Sequence, residues 1–192
     1  MKQRAEDQER TREKIVEAAV ALHGTVGPKN TSISAVAKKA GVQRLTVYRH
    51  FPDEESLFRA CSMHWLQANP PPGIGVWDSE KDARQKTSSI VHALFDYYRQ
   101  TSSMWRLVYR DIDQVPAMQA PLDDFHEYLA AICDTLIACW QPRGRKSPSL
   151  KATVRHVLSY STWESLSEQK LTDKQMADLG LRWIAAIHAA GP

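Results

Sequence analysis

The chain has 192 residues, of which 43% are hydrophobic and 24% charged, a globular balance that excludes a disordered or fibrous chain. No apolar run approaches the roughly 20 residues that cross a bilayer, and the charged opening (Lys2, Arg4, Glu6, Asp7, Glu9, Arg10) reads against a secretory leader. Cys61, Cys133 and Cys139 form no C-x-x-C pair, so buried free thiols in a reducing cytoplasm are expected, without disulfides, metal or cofactor.

The net charge of +3 is concentrated at one end. Residues 1–60 hold 11 Lys/Arg and 8 Asp/Glu, whereas the remainder holds 14 of each. No acid falls between Glu17 and Asp53, a stretch that carries Lys29, Lys38, Lys39, Arg44 and Arg49. A surface facing phosphate requires that bias, although a solvated basic face would share it.

Taken in order, Arg10–His23 places Ile15, Ala18, Ala19 and Leu22 on one helical stripe. Gly24, Gly27 and Pro28 end it. Ser32 is a good N-cap for a second helix with Ile33, Val36, Ala37 and Ala40 inward, and Gly41 suits its left-handed C-cap. Gln43 opens a short third helix that runs to His50 and is closed by Phe51-Pro52. Asp53 caps a fourth, with Glu54 and Glu55 in its favourable first turn. After the loop around Pro70–Gly75, helices are expected over about Glu80–Gln100, Met104–Asp113, Leu122–Trp140, Leu150–Glu168 and Thr172–Ala190. The breaks fall at Pro116, Pro121, Pro142–Pro148 and near Lys170. This is an all-α chain of about nine helices: an N-terminal three-helix helix-turn-helix domain (1–60), then a helical-bundle domain for ligand binding and dimerisation (61–192).

Ser32–Phe51 has the composition of a DNA-reading helix-turn-helix. Ala37 is small where the helices cross, Gly41 permits the turn, and Val42 and Val47 fill the wedge. The exposed side then holds Gln43, Arg44, Leu45, Thr46, Tyr48 and Arg49, at the end that enters the major groove. Arg44 or Arg49 suits guanine, and Leu45 or Thr46 suits a thymine methyl. Thr31, Lys38, Gln43 and Tyr48 suit phosphate, and Ser32 and His50 complete the expected DNA surface.

Residues from about Ile15 to Phe58 resemble the DNA-binding domain of TetR-family regulators. The resemblance rests on Ser-Ile-x-x-Val-Ala-x-x-Ala-Gly-Val (Ser32–Val42), Thr-Val-Tyr-x-x-Phe (Thr46–Phe51) and Asp-Glu-Glu-x-Leu (Asp53–Leu57). It implies a homodimer on a palindromic operator, released when a ligand enters the C-terminal domain. It also implies a phosphate contact by Tyr48 and a base or phosphate contact by Thr46. Leu45 departs from the family's usual glycine or small residue. Glu54 stands where a lysine is frequent, so the fourth helix is expected to contribute less to phosphate binding.

In the second domain Trp65, Phe95, Tyr98, Met104, Trp105, Tyr109, Met118, Phe125 and Tyr128 are candidate contacts for an apolar or aromatic effector. Aromatics at that spacing are more often plain core than ligand contacts. Val154, Val157, Leu158 and Ser161, with Leu179, Trp183, Ile184 and Ile187, form two stripes expected at a four-helix dimer interface. Internal packing has the same periodicity. A chain without G-x-S-x-G, H-E-x-x-H or a phosphate loop is not expected to be an enzyme. The expected function is that of a cytoplasmic repressor of double-stranded DNA operators released by a small effector, with no membrane association. An activator, or a regulator without a ligand, would carry the same helix-turn-helix.

Overall fold

The computed structural model describes residues 2–77, 82–141 and 146–189, with the side chains of residues 76, 146 and 147 left aside. The expected helix start at Glu80, the break at Pro142 and the end at Ala190 fall outside the described residues. Within them the chain is all-α: nine α-helices and short 3-10 turns, with no strand.

Four helices open the chain: α1 (Lys2–His23), α2 (Ile33–Ala40), α3 (Arg44–His50) and α4 (Glu54–Ala68). There follow α5 (Ala83–Asp111), α6 (Gln119–Trp140), α7 (Lys146–Leu158), α8 (Tyr160–Ser167) and α9 (Asp173–Ala189). Where the sequence reading separates Glu80–Gln100 from Met104–Asp113, α5 runs through without a break. Thr101-Ser102-Ser103 stays helical, and Thr101 Oγ1 donates to the Tyr97 carbonyl, 2.6 Å away. Where one helix was expected over Leu150–Glu168, the chain stops and restarts at Ser159. Its extended backbone (φ −74, ψ 146) makes it an N-cap that accepts the Thr162 N–H. Pro121 and Pro148 sit within the first turn of α6 and α7 instead of breaking them, because a proline there removes no intrahelical hydrogen bond.

By contacts the described residues form two compact units. The first holds Met1–Pro70 and Ser102–Asp124; the second holds Pro71–Thr101 and Phe125–Pro192. Helices α5 and α6 therefore each carry residues of both.

The first unit is built on Ile15, Val16, Ala18 and Ala19 of α1, packed with Val36 and Ala37 of α2, Val47 of α3, Phe51, and Leu57, Ala60 and Cys61 of α4. Burial pushes the Cys61 thiol up to about 12, so it is an inert core group. The second unit has its own core of Ile90, Leu94, Phe95, Tyr98, Ile132, Leu136, Leu150, Val154, Leu158, Tyr160, Met176 and Ile184, all essentially without exposure. Two buried polar groups inside it are satisfied: Tyr98 Oη donates to the Leu158 carbonyl (2.8 Å) and Trp140 Nε1 donates to Thr87 Oγ1 (2.8 Å).

Candidate nucleic-acid interface

The interface is built from α2, α3 and the two turns that flank α2. Ser32 caps α2, its Oγ accepting the Ala35 N–H at 3.1 Å. At the other end Gly41 takes the left-handed conformation (φ 68, ψ 33). Its N–H reaches the Lys38 carbonyl, and the Val42 N–H reaches back to that of Ala37 at 3.0 Å. This paired closure needs a positive φ, and a Cβ at Gly41 would meet nothing within 4 Å. Glycine is therefore required by backbone conformation and not by crowding.

The turn delivers α3 with Val47 wholly buried and Val42 packed on the same core, as the wedge reading requires. Phe51 closes α3 through its N–H to the Val47 carbonyl (2.8 Å), is buried itself, and carries the Arg12 guanidinium over its ring at 5.1 Å. Asp53 then caps α4 by accepting the Ser56 N–H (2.7 Å), and that bond holds its carboxyl below the usual range.

With those residues turned inward, the opposite face is fixed. Lys38, Lys39, Gln43, Arg44, Tyr48 and Arg49 are exposed, and Thr46 and His50 are half-buried. Leu45 is 74% exposed and Tyr48 43%, both large apolar side chains held out in water. No acid shares α2 or α3. The surface offers guanidinium forks for guanine, an apolar tip for a thymine methyl, and ammonium and phenol donors for phosphate. Thr31 is less free than its composition suggests, because its hydroxyl donates to the Gly27 carbonyl at 2.8 Å. Ser32 uses its oxygen as an acceptor in the cap and keeps its proton for a ligand.

The nine expected effector contacts divide between the units. Trp65, Met104, Trp105, Tyr109 and Met118 lie in the first; Phe95, Tyr98, Phe125 and Tyr128 lie in the second. In the first unit Trp105 is buried, edge-on to Trp65 (ring centroids 5.7 Å apart) and beside Tyr109 (5.9 Å). In the second Phe95 and Tyr98 are buried, and Phe125 stacks on Tyr128, whose Oη donates to the Pro72 carbonyl at 2.7 Å. Of these aromatics Phe95, Tyr98, Trp105 and Phe125 are buried, and Trp65, Tyr109 and Tyr128 are half-buried.

Of the expected interface residues, Val154, Val157, Leu158 and Ile184 are buried within the single chain, where α7 packs on α9. Leu179, Trp183 and Ile187 are half-buried, and Ser161 is exposed on α8. The outward face of α7 and α9 is a neighbouring stripe. It forms an open groove of about 530 Å³ lined by Ala152, Thr153, His156, Trp183, Ala186 and Ile187. His156 stacks on Trp183 there, centroids 6.3 Å apart. Ala152, Thr153, His156 and Ala186 were not among the residues expected at the interface.

Residues 15–61 match the model of the bacterial regulatory proteins of the tetR family. Among curated proteins the chain is similar to the nucleoid occlusion factor SlmA of Vibrio campbellii, 26% identical over 98 residues, 50% of each chain. It is also similar to the HTH-type transcriptional regulator AcrR of Shigella flexneri, 42% identical over 53 residues, 28% of this chain and 25% of that one. The chain thus spans about half the length, or less, of the curated relatives it matches. The fold extends further than the sequence likeness. A TetR-like transcriptional regulator from Rhodococcus sp. RHA1 superposes with a TM-score of 0.60 over 94% of this chain and 97% of that one, at 16% identity. The sequence match to the tetR family model is confined to residues 15–61, and beyond it the likeness is one of fold.

Proposed function

We propose that this chain is a cytoplasmic transcriptional repressor that binds a palindromic operator as a homodimer and is released by a small apolar or aromatic effector. The observation that carries the DNA-binding part is the outward face of α3. There Arg44, Leu45, Tyr48 and Arg49 are exposed together on a helix anchored from behind by Val47. A lone subunit reads one half-site, and a two-fold dimer supplies the second recognition helix about one helical turn away. The groove on α7 and α9, apolar and built from the last long helices, is the surface suited to the second copy.

Release follows a two-state scheme in which the effector binds better to a conformation that weakens operator contact; its differential affinity sets how far the equilibrium moves. Helices α5 and α6, which carry residues of both units, are the elements a ligand among the aromatics of the second unit would displace. Turn Pro116–Met118, just before α6, packs on α4 within the first unit, which gives that displacement a route to the DNA-binding helices. A second reading, a regulator that needs no ligand, is favoured by the packing of Phe95, Tyr98 and Phe125 as closed core.

The test is binding to the duplex upstream of the chain's own gene, titrated with salt, for wild type and a Tyr48→Ala/Arg44→Ala double variant. The logarithm of affinity should fall with that of salt by about 0.9 for each phosphate neutralised, and the variant should lose binding. Equal binding by both, or by neither, overturns the reading. An operator complex that no apolar or aromatic compound dissociates would favour the ligand-free regulator.

A further inference from the structure

Asp111, the last residue of α5, is 2% exposed, and a carboxylate so enclosed must have its lone pairs engaged. Its Oδ1 accepts Arg110 Nε at 2.7 Å; its Oδ2 accepts Arg110 Nη2 at 3.0 Å and the backbone N–H of Lys29 at 3.1 Å. Arg110 Nη2 also donates to the Val26 carbonyl at 3.1 Å. Two adjacent residues therefore grip both ends of the Val26–Lys29 turn, more than 80 positions away in sequence. The turn is shaped to be gripped. Gly27 has φ 90, and a Cβ there would collide with the Arg110 guanidinium and the Asp111 carboxylate. Asn30 Nδ2 and Thr31 Oγ1 tie the following residues back to the carbonyls of Val26 and Gly27. The next residue is Ser32, the cap of α2.

We infer that the Arg110–Asp111 pair is a positioning device for DNA binding, holding the turn before α2 so that Ser32 and the basic face of α2 and α3 meet the duplex in register. The inference rests on the DNA-binding reading above. An ion pair whose guanidinium is half in water contributes little net stability. A guanidinium fork does fix direction, since its donors are coplanar and rigid. The arrangement thus answers a need for geometry better than a need for stability. The hydrogen bonds from Arg110 and Lys29 hold the Asp111 carboxyl below the ordinary range despite its enclosure, so the pair remains charged.

The experiment uses the full chain, a duplex that wild type recovers from a random-sequence pool, and a random duplex of equal length. Asp111→Asn and Arg110→Gln are expected to weaken the recovered duplex by at least about tenfold, the effect of losing a hydrogen bond to a charged group. Affinity for the random duplex and its salt slope should stay as in wild type in both variants. The unfolding temperature should stay so in Asp111→Asn, whereas Arg110→Gln, which leaves the enclosed carboxylate without its charged partner, should lower it. Amide exchange at Lys29 should accelerate in both variants while that of Val47 stays unchanged. Arg110→Lys, which keeps charge without the fork, should remain weak. Wild-type affinity in the variants, full recovery by Arg110→Lys, or parallel loss on both duplexes with a lowered unfolding temperature would each overturn the inference. Failure of wild type to bind any duplex would instead overturn the DNA reading, and the positioning role with it.

Discussion

His23, the last residue of α1, stacks on Phe58 of α4 with ring centroids 4.7 Å apart and planes 4° from parallel. The imidazole is 7% exposed, and burial lowers its pKa from 6.5 to about 4. The folded chain keeps His23 neutral where the unfolded chain already binds a proton, so stability falls as pH drops between those two values. The contribution is complete above about pH 6.5, and its loss reaches about 3 kcal/mol near pH 4. Thermal unfolding followed across that window should decline steadily. His23→Phe, which keeps an aromatic ring and cannot titrate, should flatten the profile; an unchanged slope would remove His23 as its source.

Gly180 on α9 marks a close approach of a different kind: a Cβ there would lie 2.7 Å from Val157 Cγ1 on α7. Val157 is fully buried and, being β-branched, has little rotamer freedom to retreat. Alanine in a helix gains about 1 kcal/mol over glycine, and overpacking costs about 1–3 kcal/mol. Gly180→Ala is therefore expected to destabilise the chain by about 1 kcal/mol net, measured by urea unfolding. Gly180→Ala combined with Val157→Ala should be less destabilised than the sum of the two single changes. Strict additivity would show that the two side chains do not meet.

The DNA-binding helices were legible because each of their boundaries is a local chemical event. Ser32 caps, Gly41 turns left-handed, Asp53 caps again, and the apolar spacing between them leaves one inward face. The middle of the chain was less legible. Ser102 and Ser103 look like a break but lie in an uninterrupted α5, whereas Ser159 ends one helix and caps the next. Serine favours both roles weakly, and tertiary packing decides between them. The expected count of nine survived because one fusion and one division cancelled. At α7 and α9, periodicity identified apolar stripes without saying which faces the partner helix of the same chain; Val154 and Ile184 turned out to face inward. The grip of Asp111 on Lys29 had no local trace, since its partners are 82 residues apart.

Leu45 offers a prediction about specificity. It is the large apolar side chain with the greatest exposure among the described residues, and it lies in the first turn of α3. Contact with a thymine methyl would bury both groups, worth about 0.8 kcal/mol or a factor of about four. One dT→dU replacement in the recovered duplex, which deletes only that methyl, should weaken wild type by this amount. Leu45→Ala should bind the dT and dU duplexes alike. A dU series that never distinguishes wild type from Leu45→Ala would exclude this contact.

The groove on α7 and α9 makes the last prediction, which separates association from folding. Trp183 and Ile187 line it from α9 and remain half-buried in one chain, whereas Val154 on α7 has no exposure at all. A charge placed at Ile187 would have to be desolvated when a second copy covered the groove, a cost of several kcal/mol without a partner of opposite sign. In the single chain the same charge would remain in contact with water. Ile187→Glu is therefore expected to shift sedimentation to monomers at unchanged helix content, with loss of tight binding to a two-half-site duplex and retention of weak salt-dependent binding. Val154→Ala should do the reverse, lowering the unfolding temperature through its cavity while molecules that remain folded still associate. If Ile187→Glu associates like wild type, the second copy docks on another face, since neither stripe on these helices would then be its seat.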